Sequence, residues 1–166
     1  MATSNDMGVN KALPHVHVLP EDDANRQLAL GFFLEISPQR SSQIKILPVA
    51  GGWTKVRDSF LANEVGGMEM WPQRHVFLLV NFDKSPTRLA DVMKEIPAHL
   101  RARVYVLGVW SEPEDLKLGS KEKTGKAMAR DCREETATTW DDPLLRHNAD
   151  ELARLRLRVR PILLQP

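Results

Sequence analysis

The fold of this chain is decided by the apolar stretch His75-Val76-Phe77-Leu78-Leu79-Val80-Asn81-Phe82, which Asp83 follows directly. A run this uniformly apolar is typical of a central parallel strand that is covered on both faces. A second apolar run, His15-Val16-His17-Val18-Leu19, precedes the acidic residues Glu21-Asp22-Asp23. Ligands of open α/β sheets bind beyond the carboxyl ends of the strands, so we expect both sets of acids at one edge of a sheet.

Extended and helical segments alternate around these two runs. The periodicity predicts helices near 22–36, 53–62 and 86–96, and further strands near 44–49 and 103–109. Gly66-Gly67 and Pro72 predict a loop between the second helix and the third strand. The β-α-β-α-β-α-β order indicates the α/β fold class, with three layers and a mainly parallel four-stranded sheet.

The domain organisation follows from changes in composition along the chain. Residues 1–13 are polar and unpatterned, which predicts a flexible tail, and residues 14–115 hold the α/β domain. Residues 116–166 are expected to form a C-terminal helical extension packed on that domain, with one helix near 121–138. The last segment is ambiguous, because 149–157 has helical character while arginines alternate with apolar residues from 154 to 160.

Composition excludes several classes of function. The 166 residues carry a formal net charge of +1, so no global field attracts nucleic acid or membranes. The single cysteine, Cys132, cannot form an internal disulfide, which fits a reducing compartment. Neither a signal peptide nor a membrane-spanning apolar run is evident, and we therefore expect a cytoplasmic protein without membrane contact.

The acids that follow the two apolar runs are the candidate functional residues. Carboxylates delivered from two strands could share one hard cation such as Mg²⁺, which takes oxygen ligands and usually only one or two carboxylates. The same acids also have a purely structural interpretation, which does not involve a metal. Glu21, Asp22 and Asp23 would also suit the start of a helix, and Asp83 has ordinary turn chemistry with Lys84-Ser85-Pro86.

The order of these features resembles a TOPRIM domain, the catalytic fold of topoisomerases, bacterial primases and OLD-family nucleases. An acid follows the first strand (Glu21), Gly51-Gly52 follows the second, and Asn81-Phe82-Asp83 follows the third. The resemblance covers about residues 14–115. The family pattern is a glutamate after the first strand and Asp-x-Asp after the third, so Asn81 replaces the first aspartate.

The resemblance implies an Mg²⁺- or Mn²⁺-dependent nuclease, or a nuclease subunit, that acts on nucleic-acid phosphodiesters. Glu21 and Asp83 would be the catalytic residues, with Glu21 as general base or metal ligand and Asp83 as metal ligand. Asn81 would be a weaker ligand, because its amide oxygen can coordinate but adds no charge. Asp23 or Glu112 would supply the missing charge.

Basic residues extend the prediction to substrates and partners. Lys84, beside Asp83, and Lys55, on the predicted second helix, are candidate phosphate-binding residues. The extension is also basic from Lys117 to Arg133, and a basic wall beside the acids would suit a nucleic-acid backbone. A protein partner or a second copy of the chain is a further candidate.

Two alternative functions stay open. The substitution at Asn81 and the small size of the chain also fit a catalytically inactive TOPRIM-like or Rossmann-like interaction module in a defence or DNA-processing complex. A response-regulator-like receiver would likewise cluster acids after its first and third strands. That class ranks lower, because no lysine lies at the end of the fourth strand.

Overall fold

Four parallel strands form the centre of the molecule in the order β2-β1-β3-β4. The computed structural model describes residues 8–165. The strands are β1 (His15–Pro20), β2 (Ile44–Ile46), β3 (Arg74–Leu79) and β4 (Val104–Leu107). The α-helices are α1 (Asp23–Leu34), α2 (Trp53–Asn63), α3 (Val65–Met70), α4 (Arg88–Met93), α5 (Lys121–Glu134), α6 (Ala149–Arg158) and α7 (Arg160–Leu163). Short 3₁₀ helices cover Pro38–Gln43, Ala98–Arg103, Pro113–Asp115 and Arg146–Asn148.

The predicted fold class is confirmed, and so is the adjacency of the first and third strands. β1 and β3 are parallel neighbours in a register that pairs His15 with Arg74 and Pro20 with Leu79. β2, β3 and β4 are shorter than predicted, but the backbone pairing of β3 with β4 continues beyond both strands. Val80 and Phe82 donate hydrogen bonds to the carbonyl groups of Leu107 and Val109. This continued pairing holds the loops after β3 and β4 side by side.

Both faces of the sheet are covered by helices. Successive side chains of a strand point to opposite faces, so a strand with consecutive apolar residues presents apolar surface on both of them. Phe77 of β3 packs in a cluster with residues of α1, α5, α6 and α7. Its neighbours Val76 and Leu78 pack on the other face with residues of α2, α3 and α4. The near-continuous apolar sequence of β3 is therefore explained by burial on both faces.

Glycines bring α1 and α5 into backbone contact. A Cβ atom on Gly125 of α5 would overlap the carbonyl group of Leu28, and one on Gly31 of α1 would overlap the carbonyl group of Glu122. No side chain other than hydrogen fits at either position. The backbone of α5, in the predicted C-terminal extension, therefore lies directly against α1.

One local prediction is corrected, and one choice that the sequence left open is resolved. The segment with Gly66-Gly67 is the helix α3 rather than a loop, and it buries Met68 in the core. The ambiguous last segment is helical, as α6 and α7. Leu152, Leu155 and Val159 follow helical spacing and are buried against the sheet, so the alternation of arginines does not decide the structure.

Several bounds also differ from the sequence predictions. The helix predicted to reach residue 138 ends at Glu134, because Glu135 takes the left-handed conformation with φ of 58°. Of the predicted tail, residues 1–7 lie outside the described residues. Residues 8–13 include the buried Val9, and the N–H of Asn10 donates to the carbonyl group of Ser42. Within residues 8–165, no helix is both long enough and apolar enough to span a membrane.

A buried polar pair joins the sheet to the end of α2. His17 of β1 and Glu64 are both fully inaccessible to solvent, and their Nδ1 and Oε1 atoms lie 2.6 Å apart. Polar groups are buried at low cost only when they are hydrogen-bonded. The pair therefore ties β1 to the α2–α3 junction, next to a second buried polar pair in which Nε of Arg74 donates to Nε2 of His15 at 3.0 Å.

Candidate site at the carboxyl edge of the sheet

Glu21 is the most enclosed acid at the carboxyl edge. Its N–H group donates to the carbonyl group of Leu79 at 2.8 Å, which extends the β1–β3 pairing by one residue. Its Oε2 accepts a hydrogen bond of 2.5 Å from the backbone N–H of Asn81, and the residue is 8% exposed. Within residues 8–165, its Oε1 accepts no hydrogen bond. One carboxylate oxygen is thus anchored while the other is left for a ligand.

The surroundings of Glu21 disfavour its charged form. Burial raises the pKa of this carboxyl, and the negative charges of Asp22 and Asp83 raise it further. The N–H of Asn81 and the guanidinium of Arg88 act in the opposite direction. The carboxylates of Asp22 and Asp83 therefore lie close enough to repel a negative charge on Glu21.

Asp22 and Asn25 fix the side chain of Asn81. Asp22 caps α1, because its Oδ1 accepts hydrogen bonds from both the backbone and the side-chain N–H of Asn25. Its Oδ2 accepts from Nδ2 of Asn81 at 3.0 Å, and Oδ1 of Asn81 accepts from Nδ2 of Asn25 at 2.8 Å. Both ends of the Asn81 amide are therefore used inside the protein.

Sequence reasoning assigned Asp22 only to the helix start and did not select Asn25. A signal for Asn25 was present. It lies three residues after a capping aspartate, where a polar side chain returns to the cap, as in a capping box. Its role at Asn81, on the neighbouring strand, depends on the strand order and could not be read from the sequence.

Arg88 connects Asp83 to the same cluster. Its Nη1 donates to the carbonyl group of Asn81 at 2.6 Å and to Oδ2 of Asp83 at 3.0 Å. The guanidinium also lies 4.6 Å from the ring centroid of Trp53, and the side chain is only 10% exposed. Sequence reasoning did not select Arg88, since an arginine at a helix start carries no signal of its own.

Asp83 lies in a strained turn and faces solvent. Asp83 and Lys84 have φ of 50° and 58°, in the left-handed region. Their N–H groups donate to the carbonyl groups of Ser111 and Trp110 in the loop after β4. The side chain of Asp83 is 56% exposed, so one of its oxygens is held by Arg88 while the rest of the carboxylate is accessible.

The remaining predicted site residues lie around this cluster rather than within it. Asp23 is exposed on α1 and accepts hydrogen bonds from Arg26 and Gln27, which lower the pKa of its carboxyl. Glu112 is exposed in the loop beside Ser111. Lys84 is exposed next to Asp83.

Lys55 lies over the turn at Gly51. This turn is close to the cluster, because the N–H of Gly51 donates to the carbonyl group of Glu21.

The described residues contain no group of three or more His, Cys, Asp or Glu side chains arranged to hold a metal ion. At the acidic edge the geometry agrees with this absence, because both carboxylate oxygens of Asp22 already accept hydrogen bonds from Asn25 and Asn81. Two carboxylates, those of Glu21 and Asp83, keep an oxygen that is not hydrogen-bonded within residues 8–165.

No family model, curated protein or solved structure matches this chain with statistical significance. The resemblance to TOPRIM domains therefore stays a prediction.

Proposed function

We propose that the carboxyl edge of the sheet is a TOPRIM-like, Mg²⁺- or Mn²⁺-dependent site for hydrolysis of nucleic-acid phosphodiesters. The observation that carries this proposal is the convergence of Glu21, Asp22 and Asp83 at the ends of two adjacent parallel strands. Only one cationic side chain, Arg88, enters that cluster within residues 8–165. A group of three acids with a single cationic partner keeps an excess of negative charge, which favours a further cation at this sheet edge.

The residues fit a magnesium ion better than other metals. Glu21 would hold it through Oε1 and Asp83 through the oxygen that Arg88 does not bind, with Asn81 adding at most one amide oxygen. One or two carboxylates with water and substrate oxygens are the usual Mg²⁺ environment, whereas zinc sites need His or Cys ligands that this edge lacks. When bound, the ion would neutralise charge that develops on the transferred phosphoryl group.

The protein's own side chains would supply the other functions of the site. As the alternative to holding the ion, Glu21 would act as general base, because a raised pKa makes its ionised form a stronger proton acceptor near neutral pH. The hydrogen bond from the N–H of Asn81 fixes the orientation of this carboxylate. Lys84 and Lys55 are exposed beside the cluster and would contact substrate phosphates.

A second candidate function is a catalytically inactive interaction module. Two observations favour it: the Asn81 amide is fully hydrogen-bonded to Asp22 and Asn25, and Arg88 already binds Asp83. On this alternative the cluster is a structural network that closes the sheet edge. The two functions differ in whether a divalent ion binds and whether nucleic acid is cleaved.

The deciding experiment is metal-dependent cleavage of single- and double-stranded DNA and RNA by the purified chain. Wild type is compared with Asn81→Asp, Glu21→Gln and Asp58→Asn. Asp58 is an exposed acid on α2 outside the cluster, so its variant controls for the loss of one charge. We expect weak wild-type cleavage that is retained in Asp58→Asn, increased in Asn81→Asp and abolished in Glu21→Gln.

Strong cleavage that survives Glu21→Gln would place the active site elsewhere. Absence of cleavage by every variant, together with a protein that co-purifies stably with the chain, would favour the interaction module.

A further inference from the structure

A cluster of arginines lies at the opposite edge of the sheet from the acids. Arg154 and Arg158 are one helical turn apart on α6 and reach the segment that precedes β4. Nη1 of Arg158 donates to the carbonyl group of Ala102 at 2.6 Å, and Nη2 of Arg154 donates to the same oxygen at 3.2 Å. Two guanidinium groups therefore converge on one neutral acceptor.

Arg103 adds a third guanidinium to this cluster. Its Nη1 donates to the carbonyl group of Arg74 at 2.8 Å, and its Nη2 donates to that of Met68 at 3.1 Å. These acceptors carry no charge. Among the salt bridges of residues 8–165, the cluster contributes only the one between Arg154 and Glu151, at 2.6 Å. Three cations thus face one carboxylate, which leaves an excess of positive charge.

His75 lies close enough to the three arginines to feel the charge of each. Its Nδ1 is 3.0 Å from the hydroxyl of Tyr105, and Arg154 lies 4.5 Å from the centroid of the Tyr105 ring. Burial first, and then the charges of Arg103, Arg158, His15 and Arg154, lower the pKa of His75 to about 4. The imidazole is therefore neutral at physiological pH and can donate one hydrogen bond to an anion without needing a counter-ion.

Arg158 presents the free donors of the cluster. It is exposed, and of its five N–H donors only one is used within residues 8–165. Crowded guanidinium groups with unused donors match the geometry and the charge of a phosphate group, which takes parallel N–H hydrogen bonds. A bound anion would also relieve the repulsion between Arg154 and Arg158.

We propose that Arg103, Arg154 and Arg158, together with the nearby His75, form a phosphate-binding site at the amino edge of the sheet. Its ligand is a phosphate group, either free or as part of a nucleic-acid backbone. The site is independent of the acidic edge, since the two lie at opposite ends of the strands. Disproof of the phosphate-binding site would not affect the proposed hydrolytic function, and disproof of the hydrolytic function would not affect the phosphate-binding site.

The test follows the ring signals of His75 by NMR while inorganic phosphate is added at constant ionic strength. We expect saturable shifts in the wild type and a rise in the pKa of His75, because the anion offsets the neighbouring positive charges. Arg158→Gln should weaken phosphate binding about tenfold, the usual effect of losing one charge-assisted hydrogen bond. Arg146→Gln removes the same charge at an exposed position in another part of the fold and should bind like wild type.

A second experiment distinguishes free phosphate from the phosphates of a nucleic-acid backbone as the ligand. Binding of a short fluorescein-labelled single-stranded DNA is measured by polarisation over a range of salt concentrations. If Arg158→Gln lowers the salt slope by about one unit, and inorganic phosphate competes, the site binds a nucleic-acid backbone. Phosphate binding without DNA binding would identify a free phosphate or a small phosphorylated ligand.

Two results would overturn the proposal. One is a wild-type His75 signal that does not respond to phosphate, together with DNA binding that is equal in Arg158→Gln and Arg146→Gln. The other is a phosphate response of equal size in both variants, which would indicate a general salt effect. Circular dichroism melts of both variants establish that each is folded.

Discussion

The backbone N–H of Asn81 donates a hydrogen bond of 2.5 Å to the carboxylate of Glu21, across the ends of two neighbouring strands. The N–H of Glu21 in turn donates to the carbonyl group of Leu79. Neither bond involves the side chain of Asn81, so the position of Glu21 does not depend on which side chain residue 81 carries. The side chain of Asn81 can therefore be changed without removing the hydrogen bonds that position Glu21.

Asn81→Asp should destabilise the chain in the absence of divalent ions. Nδ2 of Asn81 donates to Asp22, and an aspartate would place a carboxylate against that acceptor instead. We expect a loss of about 1–3 kcal/mol at neutral pH, the cost of leaving a buried polar partner unsatisfied. Lowering the pH, or adding millimolar Mg²⁺, should restore the melting temperature if the proposed site is real. An equal response to Mg²⁺ in wild type and variant would contradict a metal site that includes residue 81.

Glu21→Gln should change the pH dependence of stability in a defined direction. The folded pKa of Glu21 is raised, so its contribution to stability is fully present below the unfolded value of 4.5 and is lost as pH rises through the folded value. Glutamine keeps an oxygen for the N–H of Asn81 but cannot ionise. We therefore expect the variant to melt higher than wild type at neutral pH without divalent ions, and the gain to shrink near pH 4.

The measurement is thermal unfolding of both proteins from pH 4 to pH 8 in the presence of a chelator. A stability difference that grows as the pH falls would contradict the direction of this pKa shift.

Gly125→Ala should destabilise the chain although alanine is the better helix former. The new Cβ would overlap the backbone of Leu28, and backbone atoms cannot move aside as a flexible side chain can. We expect a loss of about 1–3 kcal/mol in denaturant unfolding, the cost of overpacking. Gly66→Ala on α3 is the matched control, because nothing lies within 4 Å of its added Cβ. That variant should gain about 0.5–1 kcal/mol from helix propensity, and equal effects at both positions would contradict the close contact of α1 and α5.

Glu64→Ala should cost much more stability than Glu69→Ala. Glu64 is fully buried against His17, whereas Glu69 is exposed on α3 and lies 3.6 Å from the exposed His99. Removing one partner of a buried polar pair typically costs about 3–5 kcal/mol, and an exposed pair contributes about 0–1 kcal/mol. Chemical denaturation of both variants measures the difference. Similar losses would indicate that water reaches His17 after the substitution.

The architecture could be predicted from sequence because it depends on patterns that one strand or helix carries alone. The apolar run at 75–82 indicated a central strand, and the acids after β1 and β3 were expected at one edge, where the strand register places them. Arg88 and Asn25 could not be predicted as members of the cluster. Each reaches it across a strand order that no local pattern encodes.

Competition between local and tertiary effects explains one element that was predicted wrongly and one that the sequence left ambiguous. Two adjacent glycines disfavour a helix, yet α3 forms because it buries Met68 in the core and ends at a segment whose carbonyl groups bind Arg103. In the last segment, the arginines at alternate positions suggested a strand. The leucines at helical spacing determine the outcome, because they are the residues that the sheet buries.

The packing of α5, α6 and α7 against the sheet also has a consequence for synthesis of the protein. The face of β1 and β3 that carries Val18 and Phe77 is closed by residues as late in the chain as Leu163. When the ribosome has just synthesised β4, more than fifty residues of this sequence are still to be made, which takes several seconds at about 5–20 residues per second. During that interval α1 covers this apolar face of the nascent sheet without α5, α6 and α7, so we expect chaperone contact with the growing polypeptide to be concentrated there.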